Sequence, residues 1–492
     1  MLTAVIAVPV LGAALVLALG RSAPRARAIA LATVVAELVL TGVVFVAYDP
    51  ADGYSFVQRA DWIPAFGVQY LLGVDGLSVP MVLLNGILGV AAVLSSWTVR
   101  ERVSGFFMWL LILQAAVMGV FVAQDLILFF VFWELELLPM FLLISMWGTG
   151  RREYSAMKFL VFTFLGSAFM FAAILLLYFS LPAPERTFDM MALAGNGLAG
   201  AIGPAALVFG GFLVAFAVKL PIFPLHTWLP DAHTDAPTAV SVMLAGVLLK
   251  MGGYGLLRIN AGLFPDELVS AAPLLAVLAV VNVLYGAVVV MRQTDLKRLV
   301  AYSSVSHMGF VVLGLASVGA SGDQFNGVGL NGAALQLFTH GTITGLLFVV
   351  VGLVYERAHT RHIPDMGGMA RQMPLIAVVF LLAGFGALGL PGTSGFVAEI
   401  MVFLGGFTAY AWAAALCAFG VVLAAAYMLW AAQRTMFGPR LARWDGLADA
   451  NVVDMGAMAV LLVPIFVIGV YPRLLTDVFD AGLAPIVRGL GG

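Results

Sequence analysis

The chain is a series of long apolar runs separated by short polar breaks. Runs bounded by charge, Gly or Pro predict about fourteen spanning helices. They fall near 2–20, 28–47, 78–97, 106–123, 125–147, 156–180, 204–224, 237–257, 271–291, 295–316, 329–354, 374–400, 408–433 and 455–471. A helix needs about 20 apolar residues to cross the ~30 Å hydrocarbon core of a bilayer. The segment 48–77 is the longest polar interruption near the N-terminus, and the tail after Pro472 is too polar to span. The expected fold is an all-α polytopic membrane protein.

Composition supports this. The 492 residues are 62% hydrophobic and 10% charged, against about 25% charged in soluble domains. Mean hydropathy is +1.06. A formal net charge of −2 argues against nucleic acid as a partner and leaves the lipid bilayer as the surroundings. The single cysteine, Cys417, excludes a disulfide framework and an iron–sulfur ligand set. The opening MLTAVIAVPVLGAALVLALG has no basic residue before its apolar stretch, so it reads as a first spanning helix rather than a cleaved signal peptide. There is no P-loop, no H-E-x-x-H and no dinucleotide fingerprint, which argues against nucleotide hydrolysis or redox chemistry within this chain.

Loop charge predicts the orientation. One set of alternate connections carries seventeen cations: Arg21, Arg25, Arg27, Arg100, Arg102, Arg151, Arg152, Lys158, Arg292, Lys297, Arg298, Arg357, Arg361, Arg371, Arg434, Arg440 and Arg443. The opposite side carries five, Arg59, Arg186, Arg258, Arg473 and Arg488. The first set is expected to face the cytoplasm, with both termini outward. The expected location is the plasma membrane of a prokaryote.

Two of the chain's four lysines, Lys219 and Lys250, belong to neither set, because they lie inside apolar spans. Lys219, in LVAFAVKLPIFPLHTWLP, is followed by Pro221 and Pro224, which remove backbone donors and break the helix. A mid-membrane break is tolerated where protein or water lines the gap, so a hydrated polar cavity is expected there. Lys250 closes the run TAVSVMLAGVLLK, and a lysine in apolar surroundings can exchange protons. For both, snorkelling to the interface is the competing reading. His307, among Ser303, Ser304 and Ser306, and His340, among Thr339, Thr342 and Thr344, lie in successive spans. Two histidines among hydroxyls suggest a proton wire, since imidazole titrates near neutrality; the alternative is hydrogen-bonded core histidines. Glu399 follows a second break, GALGLPGTSGFVAEIMVFL, as Lys219 adjoins the first. Paired interrupted helices point to internal symmetry in a transporter. Glu134 and Glu136 stand in the oily run FFVFWELELLPM, and Glu37 lies within the second span without an ionisable companion in sequence. In HTWLPDAHTDAPT, the spacing of His226, Asp231, His233 and Asp235 matches no zinc pattern, so a polar loop or channel entrance is the better reading.

The stretches VKLPIFPLHTWLPDAHTDAPT and TDLKRLVAYSSVSHMGF resemble signature segments of the antiporter-like subunits of respiratory complex I and of multisubunit cation/proton antiporters. The resemblance covers about 70–435. WELELLPM, the glutamate of LPGTSGFVAEIMVFLGGF and the chain length resemble the M-type branch, the equivalent of mitochondrial chain 4. The resemblance implies two inverted five-helix repeats, 106–257 and 271–437, with the seventh and twelfth helices broken. They would be flanked by N-terminal helices 1–3 in 1–105 and a last helix and tail in 438–492. It implies an ion pair of Glu134 with Lys219, Lys250 as central proton carrier, and His307 and His340 leading to Glu399 as the terminal site. Opening the Glu134–Lys219 pair would change how readily Lys250 holds its proton. Helix positions two apart point about 200° from each other, so both glutamates cannot face Lys219; the resemblance picks Glu134, and Glu136 is left without a role.

The function implied is that of a proton-translocating membrane-arm subunit of NADH:quinone oxidoreductase, an enzyme as a complex. NADH, flavin (FMN), iron–sulfur clusters and quinone would sit in partner subunits, with no cofactor or metal in this chain and L-type and N-type antiporter-like subunits as neighbours. The alternatives are a subunit of a multisubunit Na+/H+ antiporter or membrane-bound hydrogenase, and a scaffold without a transport path.

Overall fold

The computed structural model describes residues 1–196, 204–320, 327–439 and 441–491. Arg440 lies outside the described residues. The N-terminal part comprises α1 (Leu2–Leu19), α2 (Ala23–Val46), strands β1 (Ser55–Ile63) and β2 (Val68–Val74), α3 (Ser78–Leu94) and α4 (Val103–Val122). Next come α5 (Leu126–Leu135), α6 (Leu137–Trp147), α7 (Arg152–Ser180), α8 (Met190–Asn196), α9 (Ala205–Lys219), α10 (Trp228–Asp235), α11 (Thr238–Met243) and α12 (Leu249–Gly255). The remainder is α13 (Pro265–Met291), α14 (Leu296–Ala316), α15 (Val328–Ala358), α16 (Pro374–Ala387), α17 (Ser394–Thr435), α18 (Val452–Val470) and α19 (Arg473–Gly489).

Among the described residues eleven helical stretches are long and apolar enough to cross a membrane, with α3, α9 and α16 as shorter apolar helices. The chain is a multi-pass membrane protein. α5 and α6 form one stretch, Leu126–Trp147, and α11 and α12 belong to another, Thr238–Ala261. At 42 residues α17 would be about 63 Å long, twice the hydrocarbon thickness. It turns at Tyr410, whose backbone is non-helical (φ −139°, ψ 74°).

The helices differ in what they face. Residues 239–261 and, in α15, 329–354 are buried throughout, and α14 nearly so, whereas α1, α2, α7, α17 and α18 leave long apolar flanks outward. Ionisable groups on the first three are therefore surrounded by protein. Connections gather at two ends. At one end, Arg27 reaches the carbonyl of Val99, Trp147 that of Glu101, and Arg361 both Asp295 and the carbonyl of Thr234. The other end carries structure that the helical expectation missed. β1 and β2 pair antiparallel, with Arg59 opposite Leu71 and Ala60 opposite Tyr70. Gly67 supplies the left-handed turn between them (φ 69°). The hairpin is tied to its surroundings by Gln124 N–H to Leu71 O (2.9 Å), Tyr178 to Phe66 O (3.2 Å) and an Arg59–Asp189 ion pair (2.6 Å). The polar tail forms α19, which lies across this hairpin end; Asn331 of α15 donates to the carbonyl of Thr476 (3.0 Å).

Candidate functional site

Helix breaks deliver the first pair of charges. α9 stops at Lys219, because Pro221 and Pro224 offer no N–H to continue it. The break is closed by side chains. Trp228 Nε1–H donates to Val218 O (2.9 Å), and Asn282 of α13 accepts from Phe223 N–H (2.7 Å) while donating to Pro221 O (3.3 Å). A second defect separates α5 from α6 at Glu136; Pro139 cannot donate to the Leu135 carbonyl one turn back.

The structure gives Lys219 a different partner from the one the resemblance implied. Lys219 Nζ is ion-paired with Glu136 Oε1, both side chains fully enclosed. The ammonium also stands 5.5 Å from the ring centroids of Trp133 and Phe159. Glu134 is only half-buried beside Ser167, with its Oε1 unpartnered. The reason is helical phase. Phe129, Trp133, Glu136, Met140 and Ile144 share the buried face, whereas Val131, Leu135 and Leu138, around Glu134, are exposed.

The second group lies on the buried helices. Gly252 lets α12 press against the end of α9: a Cβ there would sit 2.7 Å from Leu220 N and 2.8 Å from Phe216 O. Two residues earlier is Lys250, completely buried, on a segment flanked by wide π turns at Leu244–Leu248 and Leu256–Ala261. Such turns cluster at functional sites. Lys250 Nζ donates to the carbonyl of Ala245 and lies 2.7 Å from His340 Nδ1. The His340 and His307 rings are 5.7 Å apart. His307 Nδ1 lies 3.6 Å from Glu399 Oε1, and its Nε2 lies 3.4 Å from the Tyr427 hydroxyl. A cavity about the size of one water sits among His307, His340, Ser303, Gln336 and Glu399. Neither lysine reaches the surface, so snorkelling describes neither.

Other sequence candidates fall elsewhere. His226 packs against Phe223 and Tyr285, and His233 stacks on Phe348 (4.5 Å) with both ring nitrogens unpartnered. Asp231 pairs with Lys158 (2.6 Å), and Asp235 accepts from Ser155 (2.6 Å), tying α10 to α7. No group of three or more His, Cys, Asp or Glu is placed to hold a metal among the described residues. Glu37 is fully buried, and neither oxygen has a hydrogen-bond partner among the described residues. Two cations counted as loop charges are buried instead: Lys297 donates to the carbonyl of Ala236, and Arg258 pairs with Asp75. Asp75, Arg258 and Tyr427 were missed as members of buried networks; the runs GVDGLS and GGYGLLRI place the first two beside glycines but give no hint that they meet.

Residues 123–424 match the family described as NADH:quinone oxidoreductase/Mrp antiporter, TM. The chain belongs to this family. It is 43% identical over 454 residues to NAD(P)H-quinone oxidoreductase chain 4 of Acaryochloris marina, covering 90% of this chain and 83% of that one. With NAD(P)H-quinone oxidoreductase chain 4 1 of Synechococcus elongatus it shares 45% over 436 residues, 87% and 80% of the two chains. Among solved structures, a chain of respiratory complex I from Thermus thermophilus with bound NADH aligns at TM-score 0.88 and 32% identity over 100% of both chains. A chain of the Mrp complex from Dietzia sp. aligns at TM-score 0.86 and 22% identity over 100% of this chain and 99% of that one, a likeness of fold alone.

Proposed function

We propose that the chain is a proton-translocating subunit in the membrane arm of a complex I-type NADH:quinone oxidoreductase. The observation that carries this reading is the 2.7 Å contact of Lys250 with His340. A buried amine against an imidazole, with no carboxylate among the described residues touching it, is a donor–acceptor pair able to exchange a proton. Lys250 is the central carrier, His340 and His307 hand the proton on, and Glu399 is the terminal site. Glu136 takes the place first given to Glu134. Loosening its pair with Lys219 alters the field at Lys250, a local electrostatic switch with a transport readout.

In this reading NADH, FMN, the iron–sulfur clusters and quinone belong to partner subunits, and L-type and N-type subunits flank the chain. Fourteen crossings follow if α9 continues across its break into α10, and α16 into the first part of α17, as the seventh and twelfth spans. The blocks 106–257 and 271–437 are then inverted repeats in a prokaryotic plasma membrane, with the hairpin end and both termini outward. The test is Lys250→Met in the assembled complex. NADH-driven acidification of inverted vesicles and quinone turnover are expected to fall at least about tenfold. Normal pumping by an assembled variant would overturn the reading.

A further inference from the structure

We propose that Arg258 and Asp75 form a fixed-charge seal at the hairpin end of the helix that carries Lys250. The seal blocks a direct outward route, so that protons leave sideways through His340. This rests on the reading of Lys250 as a carrier.

The helix face itself offers that route. Lys250, Tyr254 and Arg258 are spaced four residues apart, about 6 Å of rise per step. Tyr254 is fully buried and donates to Phe121 O (3.2 Å), and Arg258 Nε–H donates to the Tyr254 hydroxyl (3.2 Å). Past Arg258 lies a cavity of about 180 Å³ between the hairpin end and α19, lined by Tyr48, Tyr54, Asp75 and Gly482 among others. Along this face, Tyr254 and Arg258 are what separates Lys250 from that space.

Arg258 is suited to stop a proton rather than pass one. A guanidinium does not deprotonate in proteins, so it cannot relay, and its positive charge repels an incoming hydronium. It is held rigidly. Both terminal nitrogens bind Asp75, one at 2.7 Å to Oδ2, and Nη1 also reaches the Tyr54 hydroxyl (3.0 Å). Asp75 is fixed in turn by the N–H groups of Leu77 and Ser78, each at 3.1 Å, at the start of α3. The lining phenols give no negative site to draw a proton across: burial pushes the Tyr48 hydroxyl up to about 12 and the Tyr54 hydroxyl well above its ordinary range. A merely structural pair would need the same geometry, so the test reads leak rather than stability.

The intact complex is reconstituted in liposomes with a trapped pH dye, and the decay of an imposed pH gradient is followed without NADH. Arg258→Gln with Asp75→Asn removes both charges and keeps polar partners. It is expected to leak about tenfold faster while uncoupled quinone turnover persists. Adding Lys250→Met should abolish the extra leak, and Arg258→Lys should leak like the parent. Arg258→His keeps the test available if the neutral pair does not assemble: its leak should appear above about pH 7 and close near pH 5.5, where imidazole is charged. An assembled neutral pair that leaks like the parent, a leak that survives Lys250→Met, or an Arg258→His leak indifferent to pH would overturn the proposal. Pumping that survives Lys250→Met alone fails the proposed function instead.

Discussion

Lys219 and Lys250 are both buried lysines, yet they are held in opposite ways. Lys219 faces a carboxylate, Glu136, and is enclosed by Trp133 and Phe159. Lys250 touches a backbone carbonyl and an imidazole, and its row continues past a small polar cavity to Glu399. A salt-bridged ammonium is anchored, because losing its proton would leave an unpaired carboxylate in the interior. An ammonium facing an imidazole has somewhere to send its proton. Similar residues on neighbouring helices thus meet different partners, one a carboxylate and the other an imidazole.

That contrast can be broken most forcefully at Glu136. Removing one member of a buried pair typically costs about 3–5 kcal/mol, so Glu136→Gln should lower turnover and vesicle acidification at least tenfold or reduce assembly. Glu134→Gln should change them less than about twofold, because Glu134 is half-exposed and outside the pair. A reversed ranking would mean that Lys219 changes carboxylates during turnover, and the two lysines would then be less unlike than they look. Next is the contact between α9 and α12, the helices that carry the two lysines. Gly252→Ala drives a methyl into the backbone of Leu220 and Phe216, an overpacking of about 1–3 kcal/mol. A lower melting temperature of the purified complex and a turnover loss of about threefold are expected. Smaller than the Gly252 effect is that of Tyr427→Phe, which deletes a hydroxyl 3.4 Å from His307 Nε2. About a twofold change in turnover is expected, measured as a pH–rate profile, since a longer hydrogen bond contributes little.

The sequence exposed Lys219, Lys250, His307, His340 and Glu399 readily, because an ionisable residue stands out in an apolar run. It could not show which glutamate meets Lys219. In a soluble helix the buried stripe is apolar and the outer face polar, but here both faces are apolar, so the phase that separates Glu136 from Glu134 leaves no compositional trace. The same loss of contrast hid Arg258. Counted among loop charges, it lies inside the span because Asp75, 183 positions away, neutralises it. The hairpin leaves no such trace for a different reason: hydropathy marks 48–77 only as too polar to span, and strand pairing gives no signal of that kind.

The interrupted helix at Lys219 calls for protein or water to line its gap. Three of its peptide groups meet protein: Asn282 uses both ends of its amide on Phe223 N–H and Pro221 O, and the Trp228 indole donates to Val218 O. Those three groups therefore do not depend on hydration beside Lys219. A bend braced by side chains in this way can keep its backbone geometry whether or not water stands beside Lys219.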